Sequence, residues 1–284
     1  MDRLELLTSL IGVYVAQPAT AFWRAIELDA IQRLGMPAGR GLDIGCGDGK
    51  LTEILLRSIG GRRLVGVDLD ALETAAAAGY DFYEAVHTAP ADRIPEQSES
   101  FDFAVSNSVL EHIPDLEAVL RETARLLRPG GTFTFTVPGI GFHPALRGGV
   151  LPGVTRDRYL RIIDDRLAHI HYLSAEEWAA TCEKVGLRVE TCLGYMAPRE
   201  VRRWETLSRF TGGLLYTLFG NRARPIEIQR RFGVRQLQNT HRMPEALAAV
   251  VAKWVAAGMD FRADGSRWLD ERNAGCLLVH GVKP

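Results

Sequence analysis

Residues 41–50, Gly-Leu-Asp-Ile-Gly-Cys-Gly-Asp-Gly-Lys, read as a short buried strand that runs into a loop with glycine at every second position. Glycine has no Cβ, so it adopts positive φ at no steric cost and lets a ligand lie against the backbone. Leu51 to Leu56 should open a helix, whose first N–H groups have no partner inside the helix. The stretch predicts a strand–loop–helix unit that binds a small molecule.

The glycine spacing argues against a dinucleotide. The fingerprint G-x-G-x-x-G, counted from Gly45 and Gly47, needs a third glycine where Lys50 stands. Asp43 lies just before the loop, where a carboxylate suits a cationic ligand group better than a pyrophosphate. Residues 64–68 predict a second buried strand that ends in Asp68, about 20 residues beyond Gly47, where a βαβ unit places its acceptor for ribose hydroxyls.

These two motifs resemble the first two motifs of the Rossmann-like (class I) S-adenosylmethionine-dependent methyltransferases of the small-molecule type. Residues 101–115, FDFAVSNSVLEHIPD, and residues 126–131, LLRPGG, resemble the central and later motifs of the same family. The resemblance implies an α/β fold with a doubly wound, seven-stranded, mostly parallel sheet, an antiparallel last strand and helices on both faces. It also implies S-adenosyl-L-methionine as methyl donor and S-adenosyl-L-homocysteine as product.

The resemblance assigns the cofactor contacts to the ends of successive strands. The adenine contact departs from the family pattern, because Pro90 replaces the usual aspartate and leaves Asp92 as the nearest carboxylate, which could equally be a solvated turn acid. The expected cofactor-binding residues are Asp43, Gly45, Cys46, Gly47, Gly49, Asp68, Leu69, Ala91, Asp92, Asn107 and Ser108.

The segment after the predicted strand at residues 101–106 narrows the range of possible methyl acceptors. Family members that methylate planar amino groups of adenine or glutamine carry Asn/Asp-Pro-Pro-Tyr/Phe there, whereas residues 106–109 are Ser-Asn-Ser-Val. Methylation of DNA adenine or of glutamine is therefore disfavoured.

Histidines supply the candidate catalytic groups. A neutral imidazole accepts a proton from a hydroxyl acceptor, and a neighbouring carboxylate raises its basicity. Glu111 and His112 stand nearest the expected methyl group, with His143 and His171 as further candidate bases; ordering of the loop is the alternative role of the Glu–His pair. His169 and His171 alternate and would share a face if extended, which predicts either a surface segment or a metal or base pair.

No metal is predicted. Some relatives bind a divalent ion through Glu-x-x-Glu-His, but Ser108 occupies the position of the first glutamate here. His169 and His171 likewise have no third ligand spaced nearby in the sequence.

The predicted domain organisation places two additions on the cofactor-binding domain. Residues 1–36 form N-terminal cap helices, residues 37–192 and 275–284 form the cofactor domain with an insertion at about 139–173, and residues 193–274 form a helical lid. The lid holds ten arginines and three glutamates between Arg199 and Arg242, interleaved with aromatics such as Trp204, Phe210, Tyr216, Phe219 and Phe232. This pattern fits a solvated helical lid, an anionic acceptor, or contact with an anionic membrane surface.

The composition of the chain limits which partners and which cellular compartment we expect. The net charge is −1, which gives no global reason to expect a nucleic-acid partner. The four cysteines are widely spaced, without a C-x-x-C pair, and the run Leu10–Ala16 is too short to span a bilayer, so a cytoplasmic protein is expected. The leading prediction is O-methylation of a small molecule in secondary-metabolite or glycan biosynthesis. Methylation of RNA or protein, and cofactor binding without catalysis, are the alternatives.

Overall fold

The computed structural model describes residues 1–15, 17–149, 153–210, 242–259, 261 and 267–284. The strands are β1 (Arg40–Ile44), β2 (Arg63–Asp68), β3 (Tyr83–Thr88), β4 (Phe101–Asn107), β5 (Leu127–Pro138), β6 (Arg188–Tyr195) and β7 (Cys276–Val282). The helices are α1 (Arg3–Val13), α2 (Pro18–Leu34), α3 (Lys50–Ile59), α4 (Ala71–Ala77), α5 (Leu116–Leu126), α6 (Phe142–Ala145), α7 (Arg156–Leu167), α8 (Ala175–Glu183), α9 (Pro198–Phe210) and α10 (Glu245–Val255). Two 3₁₀ turns, Leu110–His112 and Glu271–Asn273, complete the described elements.

The strands form one seven-stranded sheet in the order β3-β2-β1-β4-β5-β7-β6. β1 to β5 pair in parallel, whereas β7 runs antiparallel to both β5 and β6. The predicted fold class is therefore confirmed, including the antiparallel last strand. The order reverses at β1 and β4, and in doubly wound sheets ligands bind beyond the carboxyl ends of the strands at such a switch point.

Strand burial follows from this position in the sheet. β1 and β4 are buried along nearly their whole length, and Phe103–Val105 of β4 form the continuous apolar run typical of a strand covered on both faces. One apolar cluster lies between the sheet and α5 and α8, and includes Phe133, Phe135 and Trp178. This rigid layer holds the ends of β1, β2 and β4 in fixed positions.

The N-terminal helices pack with the helices near the C-terminus. α1 and α2 share one apolar cluster with α9 and α10, in which Trp23 contacts Trp204 edge-on at 5.3 Å between ring centroids. Buried Arg3 joins the same elements through ion pairs to Asp29 at 2.7 Å and Glu200 at 2.6 Å. The predicted cap and the described part of the predicted lid thus form one layer on the sheet.

Two elements end at different residues from those that the apolar run at 10–16 and the domain bound at 192 indicate. α1 ends at Val13, three residues before the end of the apolar run, and β6 continues to Tyr195, where it still pairs with β7.

Most of the arginine-rich segment, residues 211–241 with Tyr216, Phe219 and Phe232, lies outside the described residues. Among the helices that the structure describes, none is both long enough and apolar enough to cross a membrane.

Candidate active site

The glycine loop after β1 has the conformation that its sequence predicts. Gly45, Gly47 and Gly49 adopt φ of +75°, +53° and +77°. Gly45 and Cys46 donate their N–H groups to the carbonyl of Val67 at 2.8 and 3.0 Å, which fastens the loop to the end of β2. Gly49 is the N-cap of α3, so the loop delivers the chain directly into a helix start.

Asp68 lies at the carboxyl end of β2 and holds two turns in place. Its carboxylate accepts the N–H of Gly47 at 3.0 Å and the N–H of Asp70 at 2.9 Å. Burial raises the pKa of Asp68, while these two N–H groups act in the opposite direction. The carboxylate therefore connects the glycine loop with the start of α4.

Asp43 is deeply buried beneath the loop. One of its oxygens accepts the hydroxyl of Thr52 at 2.7 Å and the hydroxyl of Tyr83. Burial raises the pKa of Asp43, and both hydroxyl donors counteract this. Asp43 thus holds α3 and β3 against the end of β1.

A cavity of about 480 Å³ opens at this edge of the sheet, within the roughly 300–1,000 Å³ of sites for small molecules. It brings together residues that follow β1, β2, β3 and β4. Six of the predicted site residues line it: Gly45, Asp68, Leu69, Ala91, Asp92 and His112. Leu69 and Asp92 are exposed, and Val109 and Ile113 add apolar wall on the β4 side.

Asn107 ends β4, and Ser108 follows it beside a charged pair of α2 in which Glu27 is buried and Arg24 is partly exposed. Glu27 is 0% exposed and accepts the hydroxyls of Ser108 at 2.6 Å and Thr136 at 2.5 Å, as well as the Arg24 guanidinium. Burial by itself would lower the pKa of Arg24, but the charge and the hydrogen bond of Glu27 raise it above its usual range. Arg24 also donates to the carbonyl of Asn107 at 3.3 Å. A charged group is thus fixed at the end of β4.

Glu111 and His112 follow in the 3₁₀ turn, and a third group joins them from the segment after α7. Oε1 of Glu111 lies 3.9 Å from Nε2 of His112 and 3.9 Å from Nε2 of His169. Glu111 is 0% exposed, and neither of its carboxylate oxygens has a hydrogen-bond partner within the described ranges. Burial raises its pKa to about 8, and burial lowers the pKa of both imidazoles.

The other two candidate bases are occupied by different partners. Nε2 of His143 lies 2.8 Å from Asp164, and Nε2 of His171 lies 2.8 Å from the carbonyl of Ile113. His169 and His171 are therefore not a pair on one face, because the segment that carries them is not a strand. The structure groups His169, rather than His143 or His171, with Glu111 and His112.

The model of a methyltransferase-domain family matches residues 20–191, which is more than half of the chain. The chain belongs to the S-adenosylmethionine-dependent methyltransferases. The matched residues begin in α2 and run through the glycine loop, Asp68 and the Glu111–His112 turn to β6.

Individual proteins resemble this methyltransferase at lower coverage. It is 34% identical over 113 residues to a ubiquinone biosynthesis O-methyltransferase of Xanthomonas campestris pv. campestris strain B100, across 38% of this chain and 46% of that protein. It is 30% identical over 177 residues to the enzyme of the same name from Aromatoleum aromaticum, across 60% of this chain and 73% of that protein. The chain thus spans about half the length of the first of these relatives.

A solved structure supports the fold. The structure of a SAM-dependent methyltransferase from Thermotoga maritima superposes with a TM-score of 0.53 at 16% identity, covering 98% of this chain and 100% of that one. At this identity the likeness concerns the fold alone.

S-adenosylmethionine fits the residues that the methyltransferase presents. The cavity joins the glycine loop at Gly45 to the Asp68 carboxylate, and Val109 packs so closely on Gly45 that a Cβ there would lie 2.3 Å from its methyl group. The Oδ1 atom of Asn107 is buried without a hydrogen-bond partner among the described residues, so a polar acceptor is available at the end of β4.

Sequence reasoning missed three residues of the methyltransferase site. Arg24 and Glu27 lie three apart in α2, which also carries Asp29 and Arg33, so local sequence does not single them out. His169 was considered only together with His171. Its partners lie 57 and 58 residues earlier in the chain, a separation that local spacing cannot reveal.

Proposed function

We propose that this methyltransferase methylates a hydroxyl oxygen of a small-molecule acceptor, in the biosynthesis of a secondary metabolite or a glycan building block. The observation that carries the proposal is the cluster of Glu111, His112 and His169 beside the cofactor cavity. The four cysteines are free thiols, which supports the cytoplasm as its compartment.

On the donor side, the proposal gives each predicted cofactor residue a role. Asp43 and the backbone of residues 45–49 hold the methionine part, Asp68 and Leu69 the ribose, Ala91 and Asp92 the adenine. Asn107 and Ser108 close the methionine end, where the hydroxyl of Ser108 is already fixed by Glu27. These positions lie at or just after the carboxyl ends of β1 to β4, where a doubly wound sheet binds its ligand.

On the acceptor side, the choice of oxygen rests on proton chemistry. S-adenosylmethionine supplies a methyl group on a sulfonium, which is already activated for direct displacement. A hydroxyl becomes a good nucleophile only as its proton is removed, and His112, which lines the cavity, is the imidazole placed to accept it. Holding nucleophile and methyl group in line contributes on the order of 7–11 kcal/mol in well-oriented reactions.

Two further observations support this choice. The relatives that match at 30–34% identity are O-methyltransferases by name. Arg24 places a positive charge at the end of β4, which favours an acceptor that carries an anionic group. His143 and His171 are less favoured as bases, because each already has a hydrogen-bond partner.

The test is a screen for S-adenosylhomocysteine release, with hydroxylated aglycones, sugars, carboxylic acids, amines, RNA and protein extracts as acceptors. We expect turnover with at least one hydroxylated small molecule, and mass spectrometry with NMR should locate the new methyl group on oxygen. Glu111→Gln should lower kcat at least ~100-fold and leave the affinity for S-adenosylhomocysteine unchanged. Glu117→Gln is the matched control, because Glu117 is an exposed glutamate on α5 and should retain full activity.

Methylation of amines alone, or of RNA or protein alone, would overturn the assignment to a small-molecule hydroxyl. Tight cofactor binding with no turnover in any acceptor class would replace it with a cofactor-binding protein. Full activity of Glu111→Gln would remove the cluster from the mechanism.

A further inference from the structure

Three atoms with lone pairs converge beside the cofactor cavity. They are Oε1 of Glu111 and the Nε2 atoms of His112 and His169, and all three lie within 4.8 Å of one another. Glu111 and His169 are buried, and His112 is 38% exposed where it lines the cavity.

Hydrogen bonds on the far side of each ring fix its tautomer. Nδ1 of His112 lies 2.9 Å from the carbonyl of Ala168, which has only lone pairs, so Nδ1 carries the hydrogen and Nε2 is bare. The hydroxyl of Tyr172 donates to Asp164 at 2.6 Å, so its oxygen accepts from Nδ1 of His169 at 3.0 Å. The Nε2 atom of His169 is therefore bare as well.

Arg24 acts on this cluster through its charge, but within the part of the chain that the structure describes no group donates a hydrogen bond to either oxygen of Glu111. An ionised Glu111 and two bare nitrogens would repel one another. Buried carboxylates are normally paired with a cation or hydrogen-bonded. Two bonds of about 2.1 Å that meet at a tetrahedral angle span about 3.4 Å, so the separations of 3.9 Å from Glu111 to each histidine would have to close by about 0.5 Å around one shared ion.

We propose that Glu111, His112 and His169 bind one divalent transition-metal ion, with the cavity side of the ion open to the acceptor. Two imidazoles and one carboxylate favour an ion such as Zn²⁺ over Mg²⁺, which prefers oxygen ligands. The groups that fix the tautomers, Ala168 and the Tyr172–Asp164 pair, orient the two rings as partners of metal-bound histidines usually do. The donor set draws on two segments 57 residues apart, and Ser108 takes no part because its hydroxyl is engaged by Glu27.

The catalytic use of the ion rests on the proposed function, whereas its binding does not. With the ion bound, the two Nε2 atoms ligate it and are no longer the base. An acceptor hydroxyl on the open face would instead lose its proton to water, since a bound cation lowers the pKa of its oxygen ligand. The oxygen then forms its bond to the methyl carbon as the carbon–sulfur bond breaks, and neutral S-adenosylhomocysteine leaves.

The binding test uses the full chain after chelator treatment and buffer exchange. Titration calorimetry with Zn²⁺, and separately with Mg²⁺, should show one Zn²⁺ site per chain and Mg²⁺ binding at least ~100-fold weaker. Co²⁺ added to the wild-type protein should shift the imidazole NMR signals of two histidines strongly. This second readout needs no variant and is independent of enzymatic activity.

Variants locate the site. Glu111→Ala and His169→Ala should each weaken Zn²⁺ binding at least ~30-fold, and Tyr172→Phe about 10-fold, because losing an orienting partner typically costs 10–100-fold in affinity. His171→Ala is the matched control on the same segment and should bind Zn²⁺ like the wild type. Circular dichroism and thermal melting establish that each variant is folded.

Absence of a 1:1 Zn²⁺ site, or a site that survives both Glu111→Ala and His169→Ala, would overturn the inference. If the ion binds and no hydroxyl acceptor is ever methylated, the proposed function fails and the metal site stands. If chelator-treated protein transfers methyl groups at the full rate and binds no ion, the metal site fails and the proposed function stands.

Discussion

The proposed donor half and the proposed acceptor half of this site differ in the groups that form them. The donor half is largely backbone: the N–H groups of Gly45, Cys46 and Gly47 hold the loop to the end of β2, and Asp68 also accepts the N–H of Asp70. The acceptor half consists of side chains from α2, the end of β4, and the segment after α7. Its polar groups, among them Glu27 and Glu111, are buried.

Because of this difference, we expect amino-acid substitutions to have different effects in the two halves of the site. A backbone site depends on conformation, so substitutions at its glycines act mainly through φ and close contacts. A buried side-chain network depends on complete pairing, because one missing partner leaves a charge or a hydrogen-bonding group unsatisfied. We therefore expect the largest losses of stability in the acceptor half and the clearest losses of cofactor affinity in the donor half.

The largest effect is expected for Glu27→Ala. The change leaves Arg24 without its buried partner and removes the acceptor of the Ser108 and Thr136 hydroxyls. Breaking such a pair typically costs about 3–5 kcal/mol, and urea unfolding should show a loss of this size in the free energy of unfolding. Glu117→Ala is the control, because its pair with Arg121 is exposed and is worth under about 1 kcal/mol. Equal losses in the two variants would contradict the contrast between buried and exposed pairs.

The same difference explains what sequence could reveal. The fold class and the donor loop were predictable, because glycine spacing, apolar runs and strand-end acids are local signals that lie within about 30 residues and resemble the motifs of a known family. The predicted seven-stranded sheet is confirmed. The trio around Glu111 was not predictable, since His169 comes from a segment after α7 that has no regular structure and whose position depends on tertiary packing. Arg24 and Glu27 were not predictable either, because α2 also carries Asp29 and Arg33 and its sequence does not show which charged residues point towards β4.

In the donor half, the largest effect is expected for Asp68→Ala. The change removes the proposed acceptor of the ribose hydroxyls and leaves the N–H groups of Gly47 and Asp70 without it. Hydrogen bonds to a charged group contribute roughly 1.5–3 kcal/mol each, so affinity for S-adenosylhomocysteine should fall at least ~100-fold by calorimetry. Asp81→Ala, at an exposed acid before β3, should bind like the wild type. Unchanged binding by the Asp68 variant would remove Asp68 from the cofactor site.

A smaller effect is expected for Gly45→Ala, which separates conformation from chemistry because it removes no polar group. Alanine at φ +75° costs roughly 1–2 kcal/mol, and the added Cβ would lie 2.3 Å from a methyl of Val109. The melting temperature should fall by about 4 °C, and the Kd for S-adenosylhomocysteine should rise about 10-fold as the loop shifts.

Two further variants separate the backbone strain in Gly45→Ala from its clash with Val109. Gly61→Ala, at a glycine with open space and no positive φ, should melt within about 1 °C of the wild type. Adding Val109→Ala to Gly45→Ala removes the clash but not the strained φ, so it should restore part of the affinity and little of the stability. If the double variant instead regained both in full, the loop would be held by packing against the segment after β4, and the donor half would depend on side chains as much as the acceptor half does.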